Sequence, residues 1–249
     1  MITHPDLFTD RPGLLRLGDQ SVNFYLLEQQ GRYTLFDAGL PAHYEQLAAV
    51  MAGRGADLSA IDAVVLTHAH PDHIGIAERV RAEAGATVYV HADDALYATT
   101  TDQVPTERPP TDYMHYPFAR ATFEAAMSAG AADIPPIKHV ETYVDGEVLD
   151  VPGHPRVIAT PGHSPGQSAL LLADHDVLIL GDTLEGFNVL TGRYGPQIGP
   201  DGTNFSSELA LQSLERIKDS DGDLLFGHGD PWTWGAHAAV ASARALGRS

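Results

Sequence analysis

Alternation of apolar and polar positions divides the chain into short elements. Residues 14–28 and 32–37 read as two strands joined at Gln30-Gly31: Val22-Asn23-Phe24-Tyr25-Leu26-Leu27 is apolar and aromatic, and Tyr33-Thr34-Leu35-Phe36 is rich in strand formers. Residues 42–54 place Leu47, Val50 and Met51 on one helical face and stop at Gly53-Arg54-Gly55. Ile61 leads into Ala63-Val64-Val65-Leu66, an apolar run of buried-strand length. A helix over 74–84 and a strand over 87–90 follow. This order of strands and helices predicts a sheet covered by helices.

Residues 96–137 break the pattern. They hold Pro105, Pro109, Pro110, Pro117, Pro135 and Pro136 among Tyr97, Tyr113, Tyr116, Phe118 and Phe123. A long Pro-rich connection within a domain is usually functional or disordered, and the aromatics favour packing. The stretch reads as an inserted cap with one helix near 118–129. Short strands are then predicted at 140–144, 156–160, 168–173 and 177–180. Residues 184–205 are Gly-rich and read as irregular. A helix over 206–218 carries Leu209, Leu211, Leu214 and Ile217 on its apolar face. A last strand at 223–226 and an Ala-rich helix over 235–246 complete the pattern. The expectation is one α/β domain over 1–249, a size layered α/β folds often reach.

Composition narrows the function classes. With 15 Lys and Arg against 33 Asp and Glu, the net charge is −18. That sign disfavours a nucleic-acid phosphate track and an anionic membrane surface; its plainest reading is solubility, and it leans toward a neutral or cationic substrate. Cysteine is absent, which excludes disulfides, thiolate ligands and a Cys nucleophile. The stretch MITHPDLFTD has no apolar signal region, and no run has the length of a membrane span. The expectation is a cytoplasmic protein, monomer or homodimer, acting on a small-molecule substrate without nucleic-acid or membrane partners.

The candidate chemistry sits at strand ends. The strand ending at Leu66 runs into Thr67-His68-Ala69-His70-Pro71-Asp72-His73. His is 13 of 249 residues, so three His at such spacings are expected by chance in roughly 3 chains in 100. Imidazole and carboxylate are the ligand set of zinc and its borderline neighbours. His163 follows a strand within Thr160-Pro161-Gly162-His163-Ser164-Pro165-Gly166. Asp182 follows Gly181 at another strand end, and His228 lies in Gly227-His228-Gly229-Asp230. Asp37 ends an early strand, where it serves either as a turn former or as a carboxylate that holds a metal-binding loop. His91, His154 and His175 sit outside any spaced ligand group and read as structural or solvated. Glu185, Phe187, Asn188, Tyr194 and Phe205 in the irregular stretch, and Tyr113 and Tyr116 in the cap, are candidates to line a substrate pocket. No G-x-S-x-G stretch signals a Ser nucleophile.

The set THAHPDH, PGHSPGQS, GD and GHGDP, with DAG upstream, resembles the metallo-β-lactamase fold hydrolases over roughly residues 20–240. The resemblance implies a four-layer αββα sandwich of two mixed sheets with helices outside, and two metal ions at one edge. It implies His68, His70 and His163 around one ion and Asp72, His73 and His228 around the other. Asp182 would bridge them, and Asp37 would support from behind. The implied cofactors are two zinc ions, with iron or manganese as alternatives. The implied activity is hydrolysis of a lactone, thioester or ester by a metal-bridged hydroxide, with Asp72 as the catalytic carboxylate that orients it and passes a proton to the leaving group. True β-lactamases of the family lack the bridging Asp, which turns the reading toward the glyoxalase II-like and lactonase-like branch. The lactonases carry a Tyr three positions after the bridging Asp, where this chain has Glu185. An iron-dependent sulfur dioxygenase with a similar HxHxDH motif is the alternative.

Overall fold

Strands in the middle of the two large sheets are largely apolar on both faces because both faces are covered. The computed structural model describes residues 6–7, 11–19 and 21–248. Most of the MITHPDLFTD stretch lies outside the described residues. A seven-stranded mixed sheet runs in sequence order. It contains β1 (Asp6–Leu7), β2 (Leu14–Gly18), β3 (Asn23–Gln29), β4 (Arg32–Phe36), β5 (Ile61–Val65), β6 (Thr87–His91) and β7 (Glu141–Tyr143). The pairs from β1 to β4 are antiparallel, and those from β4 to β7 are parallel. A second mixed sheet has the order β13 (Asp223–Phe226), β10 (Val177–Gly181), β9 (Ser168–Leu172), β8 (Arg156–Ala159). A small hairpin, β11 (Glu185–Phe187) with β12 (Tyr194–Gln197), stands apart from both.

Period-two alternation sorts the side chains into three cores. Leu14, Tyr25, Leu27, Phe36, Ala63 and Val65 face Val157, Leu170, Val177, Ile179 and Leu225 between the sheets. Their neighbours Leu15, Phe24, Leu26, Leu35 and Val64 face outward, under Leu47 and Met51 of α1 (Tyr44–Gly53) and Val80 of α3 (Ala77–Ala84). On the far side, Leu178, Leu180, Leu224 and Phe226 pack under α6 (Ser207–Ser213) and α7 (Ala236–Leu246). Helix, sheet, sheet, helix is the αββα order expected from the sequence. Among the described residues no helix is long and apolar enough to cross a membrane.

Four sequence expectations need correction. Residues 14–28 form two strands, because Gly18 has φ +106° and the Asp19 carboxylate accepts from Ser21 N at 2.7 Å and Val22 N at 3.2 Å, closing a turn. The helix over 74–84 is broken into α2 (Pro71–Ile74) and α3. Gly75 N donates to Gly39 O at 2.8 Å and Ile76 N to Ala38 O at 3.1 Å, so tertiary bonds replace helical ones. A Cβ at Gly75 would meet the backbone of Leu40 at 2.6 Å, which is why glycine stands there. Residues 184–205 contain the β11–β12 hairpin, and the helix over 206–218 ends early in a tighter turn at Leu214–Arg216.

The stretch 96–137 opens in α4 (Ala95–Thr99) and carries α5 (Pro117–Ser128), one residue off the expected helix. It packs on the hairpin segment. Tyr113, Ala119, Phe187, Val189 and Leu190 form a separate small core. Glu107 N and Arg108 N donate to Asn204 O and Asp201 O.

Candidate metal centre

Strand direction brings the chemistry together. β4, β5, β10 and β13 each end in a site residue or the loop that holds one, and β4–β5 and β10–β13 are parallel pairs. β8 runs with β10, because both are antiparallel to β9. The two sheets are stitched at this edge by Asn23 N donating to Gly227 O at 2.7 Å, Ser168 N to Thr67 O at 2.9 Å and Tyr25 Oη to Phe226 O at 2.6 Å.

All seven ligand candidates converge. His68, His70 and His163 form one group, His68, His73 and Asp182 a second, and Asp72, His73 and His228 a third. Within each group the nearest nitrogen and oxygen atoms lie within 4.8 Å. His163 Nε2 and His228 Nε2 lie 3.2 and 3.1 Å from Asp182 Oδ2. His73 Nε2 and His68 Nε2 are 3.6 and 4.0 Å from the same oxygen. Asp72 Oδ2 is 3.4 Å from His228 Nε2 and 3.8 Å from His73 Nε2. A side chain at Gly227 would run into Asp182 Oδ1, so that glycine permits the approach.

Four of the rings are fixed by their outer nitrogen. His73 Nδ1 donates to Asp37 Oδ2 at 3.0 Å. His163 Nδ1 donates to Asn204 Oδ1 at 2.9 Å, and Asn204 is itself oriented by donating to Gly199 O at 2.6 Å. His228 Nδ1 donates to the carbonyl of Ser21. His68 Nδ1 lies 3.0 Å from the Thr67 hydroxyl, which donates onward to Asp37. Outer acceptors hold the protons outside, so in the neutral rings the inner nitrogens present lone pairs to the cluster. His68 Nε2 lies 3.1 Å and His163 Nε2 2.8 Å from His70 Nδ1. Such converging lone pairs repel unless protons or a cation lie between them. Among the described residues, His73 Nε2, Asp182 Oδ1 and Glu185 Oε2 are buried without a hydrogen-bond partner. Donor type, convergence and buried unpartnered atoms all fit transition-metal ions.

Asp37 has φ +58°, a left-handed backbone that an Asp tolerates better than most residues. Its carboxylate accepts from Thr67 N at 2.7 Å, Thr67 Oγ1 and His73 Nδ1. It therefore orients His73 directly and His68 through Thr67.

Charge is balanced inside the cluster. Burial drives the Asp182 carboxyl upward, but His228, His73 and His163 outweigh it and hold it well below the ordinary range. Burial likewise opposes protonation of His228, yet Asp182 and Asp72 push it up to about 10. His73 is raised well above its usual value: Asp182, Asp72 and Asp37 overcome burial there. His68 and His70 go the other way, lowered by burial and by neighbouring imidazoles. Burial, then the Asp182 charge, push Glu185 up to about 7.

The pocket candidates separate. Glu185 lies in the cluster beside His163 and Asp182, fully buried on β11. Tyr113 and Phe187 belong to the small core that joins the cap to the hairpin. Tyr116 is partly exposed and stacks on His115 and Tyr113. Tyr194 is 76% exposed, packs on Phe187, and lines an outer groove with Trp232 and Trp234. Sequence reading missed Asn204 and Asp94. Neither has a spacing that marks it: Asn204 lies ahead of a helix, and Asp94 follows the strand of His91. His91 accepts from Asp93 N at 3.2 Å and packs on Tyr143, a structural role.

A four-layer αββα frame with imidazoles and carboxylates gathered at one sheet edge defines a class of metal-binding α/β proteins. The chain matches the profile of the Metallo-beta-lactamase superfamily over residues 17–229, and it belongs to that superfamily. It is 26% identical over 244 residues to the probable metallo-hydrolase YflN of Bacillus subtilis (strain 168), covering 91% of this chain and 87% of the relative. The metallo-beta-lactamase family protein TTHA1429 from Thermus thermophilus superposes with a TM-score of 0.65 at 26% identity, over 94% of this chain and 79% of that one. The Rm3 metallo-beta-lactamase superposes with a TM-score of 0.68 over 98% of this chain and 92% of that one; at 19% identity the likeness is one of fold.

Proposed function

We propose that the chain is a metal-dependent hydrolase that cleaves a carbonyl ester-type bond, in a lactone, thioester or ester, with two zinc ions in the cluster. The observation that carries this reading is Asp182 Oδ2, which stands within 4.0 Å of inner nitrogens from His68, His73, His163 and His228. One carboxylate in contact with both halves of the ligand set is what a shared ligand requires. His68, His70 and His163 would hold one ion, and Asp72, His73 and His228 the other. Bound there, the ions would supply a water activated at neutral pH and polarise the carbonyl. Asp72 and His70 are the less buried members of the set, so substrate would enter on their side. Asp72 would accept a proton and return it to the leaving group. Glu185, with a buried oxygen that has no hydrogen-bond partner among the described residues, would hydrogen-bond a donor on the substrate. The net charge of −18 supports a neutral or cationic substrate over an anionic one.

The test is a hydrolysis screen of the zinc-loaded protein against lactones, thioesters, aryl esters and phosphotriesters. Turnover of a carbonyl substrate, lost on chelation and restored by zinc, is the expected result. Oxygen uptake by the iron-loaded protein with no carbonyl hydrolysis would overturn the reading in favour of the oxidative branch of the fold.

A further inference from the structure

One fully buried carboxylate is not used by the chemistry above. Asp94 follows β6 and stands at the N-cap position of α4, but its buried side chain turns away from the helix start. Its Oδ2 accepts from Ala69 N at 3.0 Å and from the Ser164 hydroxyl at 2.6 Å, and its Oδ1 accepts from Gly166 N at 2.7 Å. Ala69 lies between His68 and His70, and Ser164 follows His163. Thus one carboxylate ties together the two loops that present His68, His70 and His163. A Cβ at Gly166 would sit 2.8 Å from Asp94 Cγ, so this glycine lets the loop close on the carboxylate. Asp94 makes no bond to the other half of the cluster, where Asp37, which also reaches His68 through Thr67, holds His73 directly and the Ser21 carbonyl holds His228.

We propose that Asp94 is a positioning residue that sets metal affinity at the His68–His70–His163 position, separately from the Asp72–His73–His228 position. The inference rests on the reading that the cluster holds two ions. Ligand groups must sit in a fixed geometry to bind a metal tightly, and partners behind the ligands supply that geometry. Here the partner bonds the backbone and hydroxyl beside the ligands, so it sets where the loops lie. Asparagine is nearly isosteric with aspartate but brings an NH2 group. With its oxygen on Ala69 N and Ser164, its NH2 faces Gly166 N–H, donor against donor. Removing the Ser164 hydroxyl takes away a single contact and leaves the carboxylate in place.

The test uses metal-free protein, prepared by chelation and dialysed against graded cobalt(II). Metal per chain and the visible absorption of bound cobalt are read together, and His70→Ala marks which uptake step belongs to the three-histidine position. In Asp94→Asn that step should weaken by roughly 10- to 100-fold while the other step stays in place. Ser164→Ala should weaken the same step by less, and it keeps the test open if Asp94→Asn does not fold. Denaturant unfolding of the metal-free variants reads stability separately. Both steps weakening together, in proportion to lost stability, would reduce Asp94 to a general structural role and overturn the proposal, as would an unchanged three-histidine step in both variants. A single uptake step in the parent protein would instead overturn the two-metal reading itself.

Discussion

Asp182 is the residue on which most of the site's interactions meet. Its strand is apolar and fully buried from Val177 to Leu180, so the strand sets its backbone position and the cluster does not. Its Oδ2 contacts imidazoles from both halves of the ligand set, and Gly227 leaves room for its Oδ1. Asp182→Ala should therefore fold, bind metal poorly, and lose hydrolysis by at least about 100-fold, the size of effect that a displacement of about 1 Å at a reacting centre can produce. Circular dichroism and thermal unfolding check the fold; metal analysis and steady-state rates check the rest. A well-folded variant that keeps its metal and most of its activity would leave Asp182 as a turn residue only. At this scale much of the candidate site was legible in the sequence: His163, Asp182 and His228 are marked by residue type and flanking glycine at strand ends, and His68 and His70 by their close spacing with Asp72 and His73. Asn204, Thr67 and Asp94 did not. Their work is done by hydrogen bonds to residues far along the chain, such as Asn204 to His163 and Asp94 to Ser164, and no local spacing encodes such a pair.

Among the elements, the strands were the most legible, and the reason is burial. β10, and β5 from Ala63 to Val65, are apolar because cores lie on both faces. Element ends were less legible where a side chain or a distant backbone decides them. Asp19 turns the chain between β2 and β3, and Gly39 and Ala38 take the amides that would have continued α2 into α3. The hairpin β11–β12 escaped notice because its glycines and Pro196 read as loop, although Glu185 pairs with Gln197 in it. The cap meets this hairpin through Tyr113 and Phe187, and Thr122 Oγ1 donates to Val189 O at 2.9 Å. The hairpin also carries Glu185, so this joint adjoins the flank of the cluster. Phe187→Ala should loosen this joint, raising KM for the best substrate while metal content stays unchanged. If kcat/KM is the same as the parent's in both Phe187→Ala and Tyr113→Ala, the cap has no part in substrate binding.

For the whole molecule, the two mixed sheets do one mechanical job: each brings parallel strand ends to a common edge, and the core between them fixes the distance across it. Tyr25, Phe36 and Val65 from one sheet and Val157, Ile179 and Leu225 from the other fill that space. Cross-sheet hydrogen bonds such as Asn23 N to Gly227 O then lock the edge itself. The rings of His68, His73, His163 and His228 are each held by a bond on the outer side, which aims their inner nitrogens at the cluster. The central claim is that this edge holds two transition-metal ions per chain. Elemental analysis of protein reconstituted with excess zinc, then freed of unbound metal, tests it most directly. A ratio of about two per chain is expected from the divided ligand set; a ceiling near one for zinc, iron, manganese and cobalt alike would contradict it.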